Sequence, residues 1–222
     1  MSMHWSRILA LSCAAAAVGC ALAWAGAATG VAPSVLPAPE VKITKAEADL
    51  CPTPAVTKAL ADQGVTLGAR SPAVISHVDG RTCVRLPMTR GEFALDLSSG
   101  SVPADGAVTF TKSTGRSLSF TDVVFDFGMR NARGTVTVQG TKTLRQPAEL
   151  FTLDFQLDKT KIDLTKGTAE GAASLGMGQG ADSALKDAFG TSPLPSQGTV
   201  FDATAGGDVT QAAQSLSRAL LP

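Results

Sequence analysis

Short stretches in which apolar and polar residues alternate constrain this chain more than any other feature of its sequence. The clearest is LFTLDFQL, where Phe151, Leu153, Phe155 and Leu157 share one parity and polar residues occupy the other. Such alternation predicts strands with one solvated face and therefore antiparallel sheets. Similar patterns occur in CVRLPM (83–88), EFALDL (92–97), AVTF (107–110), TVTV (135–138) and GTVFDATA (198–205).

Glycine and serine punctuate these strands at short intervals, which favours a sandwich or barrel over parallel βαβ units. We expect a mainly β fold, an antiparallel two-sheet β-sandwich with a few short helices in its N-terminal and C-terminal parts.

One predicted strand has a conflict between its buried positions, because Leu118 and Phe120 have one parity while Phe125 and Phe127 have the other. A one-residue slip exchanges the faces of a strand, so we predict a bulge or break near Thr121–Asp122.

Four segments have helical patterns. Residues 44–50 (TKAEADL) have capping-box spacing, and residues 53–64 combine a threonine cap, a proline in the first turn and a closing glycine. A further helix is predicted over 181–189, with a glycine stop after it. Residues 208–222 place apolar side chains on one stripe and predict an amphipathic C-terminal helix that begins at Asp208.

The first residues predict export. One arginine precedes an uncharged run, and small-x-small sites allow signal cleavage after Ala25 or after Ala27. Lipidation of Cys20 and retention of the run Ile8–Thr29 as an anchor remain alternatives. All three readings place the rest of the chain outside the cytoplasm, either secreted or at the cell surface.

The domain plan follows from these segments: a signal peptide at 1–27, a proline- and alanine-rich linker at 28–40, a β-sandwich domain with N-terminal helices at 41–207, and the terminal helix at 208–222.

Beyond the signal only two cysteines remain, Cys51 and Cys83, and in an oxidising compartment they most simply join each other. The enclosed loop of about 33 residues would stabilise the fold by roughly 3–4 kcal/mol. Two buried free thiols are the alternative.

Composition argues against several functions. The chain has 19 basic and 19 acidic residues and no basic block, which disfavours nucleic acid as a partner. It has no tyrosine, and both of its tryptophans, Trp5 and Trp24, fall in the predicted signal. Platforms that stack sugars or bases use Trp and Tyr, so lectin, glycosidase and single-strand nucleic-acid functions are disfavoured together.

No catalytic or metal-binding pattern stands out. His77 is the one histidine beyond the signal, no GxSxG elbow accompanies it, and we expect it to be an exposed loop residue. A histidine-based zinc site needs more than one such ligand. Asp154, Asp158 and Asp163 lack the spacing of a calcium loop and are expected at solvated strand ends. We therefore predict no catalytic residue, no metal and no cofactor.

The order of several motifs is similar to that of a known family. VRLPMTRGEFALDLSSGSVPADGAVTF, then SLSFTDVVFDFGMRNARGTVTVQG, AELFTLDFQLDKTKI and GADSALKDAFGTSPLPSQGTVF together resemble secreted actinobacterial proteins related to the haem-transport-associated (HtaA-type) domain. The resemblance covers about residues 65–205. It implies a two-sheet sandwich, surface display and, in some members, haem bound through a tyrosine supported by a histidine.

This sequence departs from the haem pattern of the family. It has no tyrosine, and Ala104–Val108 reads ADGAV where relatives often show a histidine. We therefore expect a non-catalytic binding or structural module for an unknown surface partner or a small apolar ligand. The alternative is a carrier of haem or another apolar molecule, and a hydrolase ranks third. Membrane contact is expected only through an N-terminal anchor.

Overall fold

A computed structural model describes residues 38–139 and 142–211, with the side chains of 142–145 left out. Both predicted cleavage sites, Cys20 and residues 28–37 of the predicted linker lie outside these residues, so the predictions made for them stay predictions. Among the described residues no helix has the length and apolar character needed to cross a bilayer.

The described residues form thirteen strands, two α-helices and one short 3₁₀ helix at Leu157–Lys159. The elements are β1 (Glu40–Pro52), α1 (Pro54–Asp62), β2 (Val65–Arg70), β3 (Val74–Val78), β4 (Arg81–Met88), β5 (Glu92–Ala94), β6 (Gly100–Pro103), β7 (Ala107–Lys112), β8 (Ser117–Asp126), β9 (Asn131–Val138), β10 (Lys142–Phe155), β11 (Lys161–Asp163), β12 (Thr168–Met177), α2 (Gln179–Phe189) and β13 (Thr199–Gln211).

Eight of these strands close into a barrel. The ring runs β1–β5–β6–β8–β9–β10–β12–β13 and returns to β1, and each neighbouring pair is antiparallel. The predicted two-sheet sandwich is therefore wrong, although the prediction of antiparallel, mainly β structure is right. Alternation reports only which face of a strand is buried, and a sandwich and a barrel bury the same face.

Two arms extend from the ring. The long strand β1 pairs with β5 at its beginning and with β4 further along, and β4 pairs in turn with β3. The long strand β8 behaves similarly, because it pairs with β6 at its end and with β7 at its beginning, and β7 carries β2. The short strands β5 and β6 therefore complete the ring at one end, and the arms diverge from it at the other.

The predicted bulge in β8 is confirmed. The register with β9 shifts between Thr121 and Val124, and Asp122 has a left-handed φ of 53°. The shift places Leu118 and Phe120 before it, and Val123 and Phe125 after it, in the buried interior. One bulge thus resolves the conflict of parity seen in the sequence.

The densest part of the core is a row of four phenylalanines that are at most 1% exposed. Phe120 makes edge-to-face contacts with Phe110 and Phe151, at ring-centre distances of 5.4 and 5.8 Å, and Phe151 makes one with Phe201 at 5.5 Å. Edge-to-face pairs stabilise beyond the burial of area alone. This row joins β7, β8, β10 and β13 across the interior.

Two of the four helix predictions are confirmed. In α1 the side chain of Thr53 accepts a hydrogen bond from the Val56 amide, as an N-cap does. In α2 five buried residues face the sheet, and Gly190 ends the helix in the left-handed conformation.

The other two helix predictions, and one strand residue, need correction. Residues 44–50 belong to β1, because pairing with β4 and β13 on both sides outweighs a local capping pattern. Asp208–Gln211 continue β13 instead of beginning a helix, and the rest of that predicted helix lies outside the described residues. Leu157 is predicted to share the buried face of Phe155, but it is 65% exposed because β10 ends at Phe155.

The predicted bridge between Cys51 and Cys83 is present, and it joins β1 to β4 with both residues buried. Disulfides of this kind are typical of oxidising compartments.

Beside the disulfide, the outer face of β1, β3 and β4 carries a network of charged and polar side chains. Arg85 donates to both carboxylate oxygens of Asp49 at 3.0 and 2.8 Å, and Ser76 Oγ donates to Asp49 at 2.6 Å.

Burial works to raise the pKa of Asp49, but the hydrogen bonds from Arg85 and Ser76 and the positive charge of Arg85 outweigh it. The pKa of Asp49 is therefore lowered from its ordinary value of 3.8. A carboxyl whose pKa is lower in the folded state stabilises the fold above its unfolded pKa and loses that contribution as the pH falls through its folded pKa.

We expect Asp49→Asn to be less stable than the wild type at pH 6, and we expect the difference in free energy of unfolding to shrink as the pH falls below about 4. Urea unfolding at several pH values measures both. The control is Asp62→Asn, which removes an exposed i,i+4 pair with Lys58 and should change stability little. A difference that stays constant down to pH 2.5 would contradict the assignment.

The closure of the ring can be tested at two adjacent glycines of β13. A Cβ on Gly207 would overlap the backbone of Lys45 and Ala46, whereas a Cβ on Gly206 would meet nothing closer than 3.9 Å. We expect Gly207→Ala to lower the free energy of unfolding by about 1–3 kcal/mol, and Gly206→Ala to leave it unchanged or slightly raised. Equal effects of the two substitutions in urea unfolding would show that close approach of β13 to β1 is unimportant.

Candidate functional site

A cavity of about 140 Å³ lies inside the ring, at the end that β5 and β6 complete. Its lining comes mostly from inward-facing residues of seven of the eight ring strands, together with Met88 of β4, Leu97 and Phe127 from turns, and residues next to or within β11. An engineered apolar cavity of about 150 Å³ remains dry and binds benzene. The volume here is therefore sufficient for a compact apolar group.

One wall of the cavity consists of alanine and glycine. Along β12 the inward positions are Ala169, Gly171 and Ala173, and along the neighbouring β13 they include Ala203 and Ala205. Residues of the opposite parity on β13, such as Thr204 and Asp208, face outward and are exposed. At Gly171 this wall has space for a side chain, because an added Cβ would be in ordinary van der Waals contact with Thr160, at 3.6 Å.

The opposite wall consists of phenylalanine. Phe93, Phe127 and Phe155 stack one on the next, with ring centres 5.2 Å apart in each pair and interplanar angles of 17° and 1°. They come from β5, from the turn after β8 and from the end of β10. Phe125 completes this wall from within β8. The cavity thus exists because large rings on one side face residues with almost no side chain on the other.

The two ends of the cavity differ. Leu50 and Leu175 are at most 1% exposed and form the closed inner end. Ile43, Leu97 and Ile162 are only partly buried and surround the outer end, which we call the mouth. Among the lining residues Glu170 is the one charged residue, and Thr160 is the one with a hydroxyl group. Thr160 uses its hydroxyl to donate to the carbonyl of Gln156 at 3.1 Å.

The residues that the sequence singled out for chemistry are not part of this cavity. His77 is exposed as predicted, but it lies on β3 and pairs with Thr82 instead of lying in a loop. Asp163 caps the turn after β11, where its carboxylate accepts hydrogen bonds from Thr165 and Lys166. Hydrogen bonds from Thr165 are the main reason why the pKa of Asp163 is lowered. In the described part of the chain no three His, Cys, Asp or Glu residues are grouped as metal ligands.

A second concavity of about 320 Å³ lies on the outer surface, between β10, β12 and the loop before β13. Thr152, Asp154, Ser174 and Thr199 contribute to it. It is an open groove of mixed polarity, and among its lining residues Asp154 is the one with an ionisable side chain. Because apolar enclosure is characteristic of ligand sites, the interior cavity is the stronger candidate.

Sequence reasoning missed the small-residue wall, although its signal is readable. TAEGAAS (168–174) and DATAGGD (202–208) both place alanine or glycine at every inward position. In a core strand these positions normally carry Val, Ile, Leu or Phe. Two such strands next to each other predict a void, but only their pairing in the structure shows that they are neighbours.

No model of a protein family matches the sequence, and no curated protein matches it. Among solved structures, the C-terminal domain of HtaA from Corynebacterium glutamicum is similar, with a TM-score of 0.56 and 13% identity over 76% of this chain and 99% of that one. The heme binding protein HtaB from the same organism gives a TM-score of 0.46 at 13% identity, covering 78% and 95% of the two chains, which is too low to carry an argument. The described domain therefore shares the fold of the C-terminal domain of HtaA, and the likeness extends to the fold alone.

Proposed function

We propose that this protein is a non-catalytic carrier that holds an apolar ligand in the interior of its barrel. The observation that carries the proposal is the cavity of about 140 Å³ whose lining, apart from Thr160 and Glu170, is apolar. Small-molecule sites in proteins are usually concave, mostly apolar and largely pre-formed, and the mouths of barrels are among their preferred places. The fold shared with HtaA is compatible with this function.

The energetics of the cavity support a binding role over a simple packing defect. Natural cores are close-packed, and each unfilled Å³ costs about 24 cal/mol, so an empty cavity of this size costs about 3 kcal/mol. Replacing Ala203 or Ala205 with a larger apolar residue would be a short route to a filled core. A ligand that fills the space recovers the lost contacts and binds through them.

Catalysis is not part of the proposal, because the lining residues do not form a catalytic arrangement. A hydrolase needs a nucleophile or an activated water together with a base and an orienting group. The lining has no serine, cysteine or histidine, and its two polar side chains belong to different elements near the mouth. Glu170 is exposed, so its environment resembles a solvated surface.

Binding can be tested with N-phenyl-1-naphthylamine, an apolar dye whose fluorescence rises and shifts to the blue when it leaves water. We expect saturable enhancement with the wild type. Ala205→Leu places a large side chain in the cavity and should weaken dye binding about tenfold or more, while leaving the fold intact or stabilised.

Thr204→Leu is the matched control, because it adds the same side chain one residue away on the outer face of β13. We expect it to bind the dye like the wild type. If the wild type gives no enhancement, or if the two leucine variants weaken the dye equally, the interior of the barrel is not a ligand site.

Haem is the second candidate, and the shared fold with HtaA together with the order of motifs favours it. The residues of this chain support haem binding less well than the fold does. The chain has no tyrosine, the ADGAV segment at 104–108 lacks histidine, and His77 is on β3 outside the cavity. A cavity of about 140 Å³ is also well below the 300–1,000 Å³ that is typical of sites for larger ligands.

We expect haemin to give no sharp, saturable shift of the Soret band when it is titrated into the protein. A saturable shift that His77→Ala abolishes would show that haem is bound through that histidine. A shift that survives His77→Ala but disappears in Ala205→Leu would instead place haem at the cavity. Either shift would favour a haem carrier over a carrier of smaller apolar ligands.

A further inference from the structure

We infer that the cavity is a slot for one unbranched acyl chain, and that Gly171 sets how far the chain can enter. This inference rests on the proposed function and names the class of ligand. Its source can be a soluble amphiphile such as a fatty acid or the chain of a membrane lipid. The two sources present the same hydrocarbon chemistry to the slot.

The shape of the cavity is the first argument. Its lining on β12 extends from Ala169 at the mouth to Leu175 at the inner end. Six residues at about 3.3 Å each separate Ala169 and Leu175 by about 20 Å along the strand, which is the greatest length that the slot can have on this wall. A volume of about 140 Å³ spread along that length is narrow. It suits an extended chain, whereas a bulky rigid cage is too wide to enter fully.

The distribution of polarity is the second argument. From the middle of the slot inward the lining is alanine, leucine, valine and phenylalanine, with Leu50 and Leu175 closing the end. Nothing there could partner a polar group, and an unpartnered polar group is costly to bury. Thr160 and Glu170 lie toward the mouth, because Thr160 precedes β11 and Glu170 pairs with Lys161 of that strand. The ligand must therefore enter with its hydrocarbon end first and leave its polar end outside.

The surroundings of the mouth are the third argument. Leu157 and Leu164 are 65% and 38% exposed, and each lies two residues beyond a residue of the lining, Phe155 and Ile162 respectively. Exposed lysines, Lys159 and Lys161, accompany them, but so do exposed acids such as Asp158 and Glu170. Because both signs of charge are present, the site selects the chain and places little demand on the charge of the head group.

Gly171 occupies the middle of the slot wall. It lies two positions from Ala169 and four positions from Leu175, and a Cβ there would make only ordinary contact. Its φ is outside the left-handed region, so the backbone accepts another residue. A larger side chain at 171 would extend into the slot from beside Thr160 and narrow the passage from the mouth to the inner half. Gly171 is therefore the position that determines ligand length.

The test displaces N-phenyl-1-naphthylamine from the full chain with alkanoates, from hexanoate to hexadecanoate, below their micelle concentrations. Each methylene that enters the slot should tighten binding about fourfold, until the chain reaches the inner end. Undecanoate should displace the dye at least tenfold better than adamantane-1-carboxylate, which has the same number of carbons in a compact cage. Equal displacement by the two compounds, or no dependence on chain length, overturns the inference.

In Gly171→Leu the gain with chain length should end at a shorter chain. Dodecanoate should lose about tenfold or more in affinity, whereas hexanoate should change less than threefold. Gly171→Ala, which adds a single methyl group, should show a smaller loss of the same kind and covers the case in which the leucine variant does not fold. Thr168→Leu, on the outer face of β12, is the matched control and should bind like the wild type. A uniform loss at all chain lengths overturns the role of Gly171.

Co-sedimentation with phosphatidylcholine vesicles distinguishes the two sources. Retention on vesicles that Gly171→Leu abolishes would show that the chain comes from a bilayer lipid. Displacement by alkanoates without retention would show that it comes from a soluble amphiphile. If the dye binds and Ala205→Leu blocks it, but no alkanoate displaces it, the carrier function holds and only the acyl-chain inference fails. If the dye does not bind at all, the proposed function itself fails.

Discussion

The pairing of β13 with both β1 and β12 is the interaction on which the rest of the structure depends. Without it, β1 and β12 would each present an open edge, and the described strands would form a curved sheet. The close approach at Gly207 lets β13 lie against β1 over almost its whole length. Closure gives the barrel an interior, and the cavity and any ligand bound in it depend on that interior.

Inside the ring, the sizes of side chains on opposite walls decide where the space is filled and where it is left open. Where Phe120, Phe151 and Phe201 meet, ring edges contact ring faces and the core is continuous. Further along the same strands, Phe127 and Phe155 stack on each other and face alanine and glycine of β12 and β13. The same type of residue thus makes a dense core in one half of the barrel and one wall of a cavity in the other.

Apart from the disulfide, the predictions that succeeded concern neighbours in the sequence. The parity conflict around Asp122 correctly predicted a bulge, the cap at Thr53 correctly predicted the start of α1, and the stop at Gly190 correctly predicted the end of α2. Those that failed concern competition with distant strands. Residues 44–50 have a capping pattern, but Ala46, Ala48 and Leu50 face the interior in a strand that is paired on both sides. Local preference is worth a few tenths of a kcal/mol per residue, and tertiary pairing outweighs it.

The sequence by itself determined that the chain is mainly β and antiparallel and that Cys51 and Cys83 pair, because alternation and residue counts are local facts. Tertiary structure alone decided that the strands close into a ring and that two alanine- and glycine-lined strands lie side by side across from a stack of phenylalanines. The reason is physical. The parity of a residue in its strand tells which way its side chain faces, but strands that are far apart in the sequence together form the space that the side chain faces.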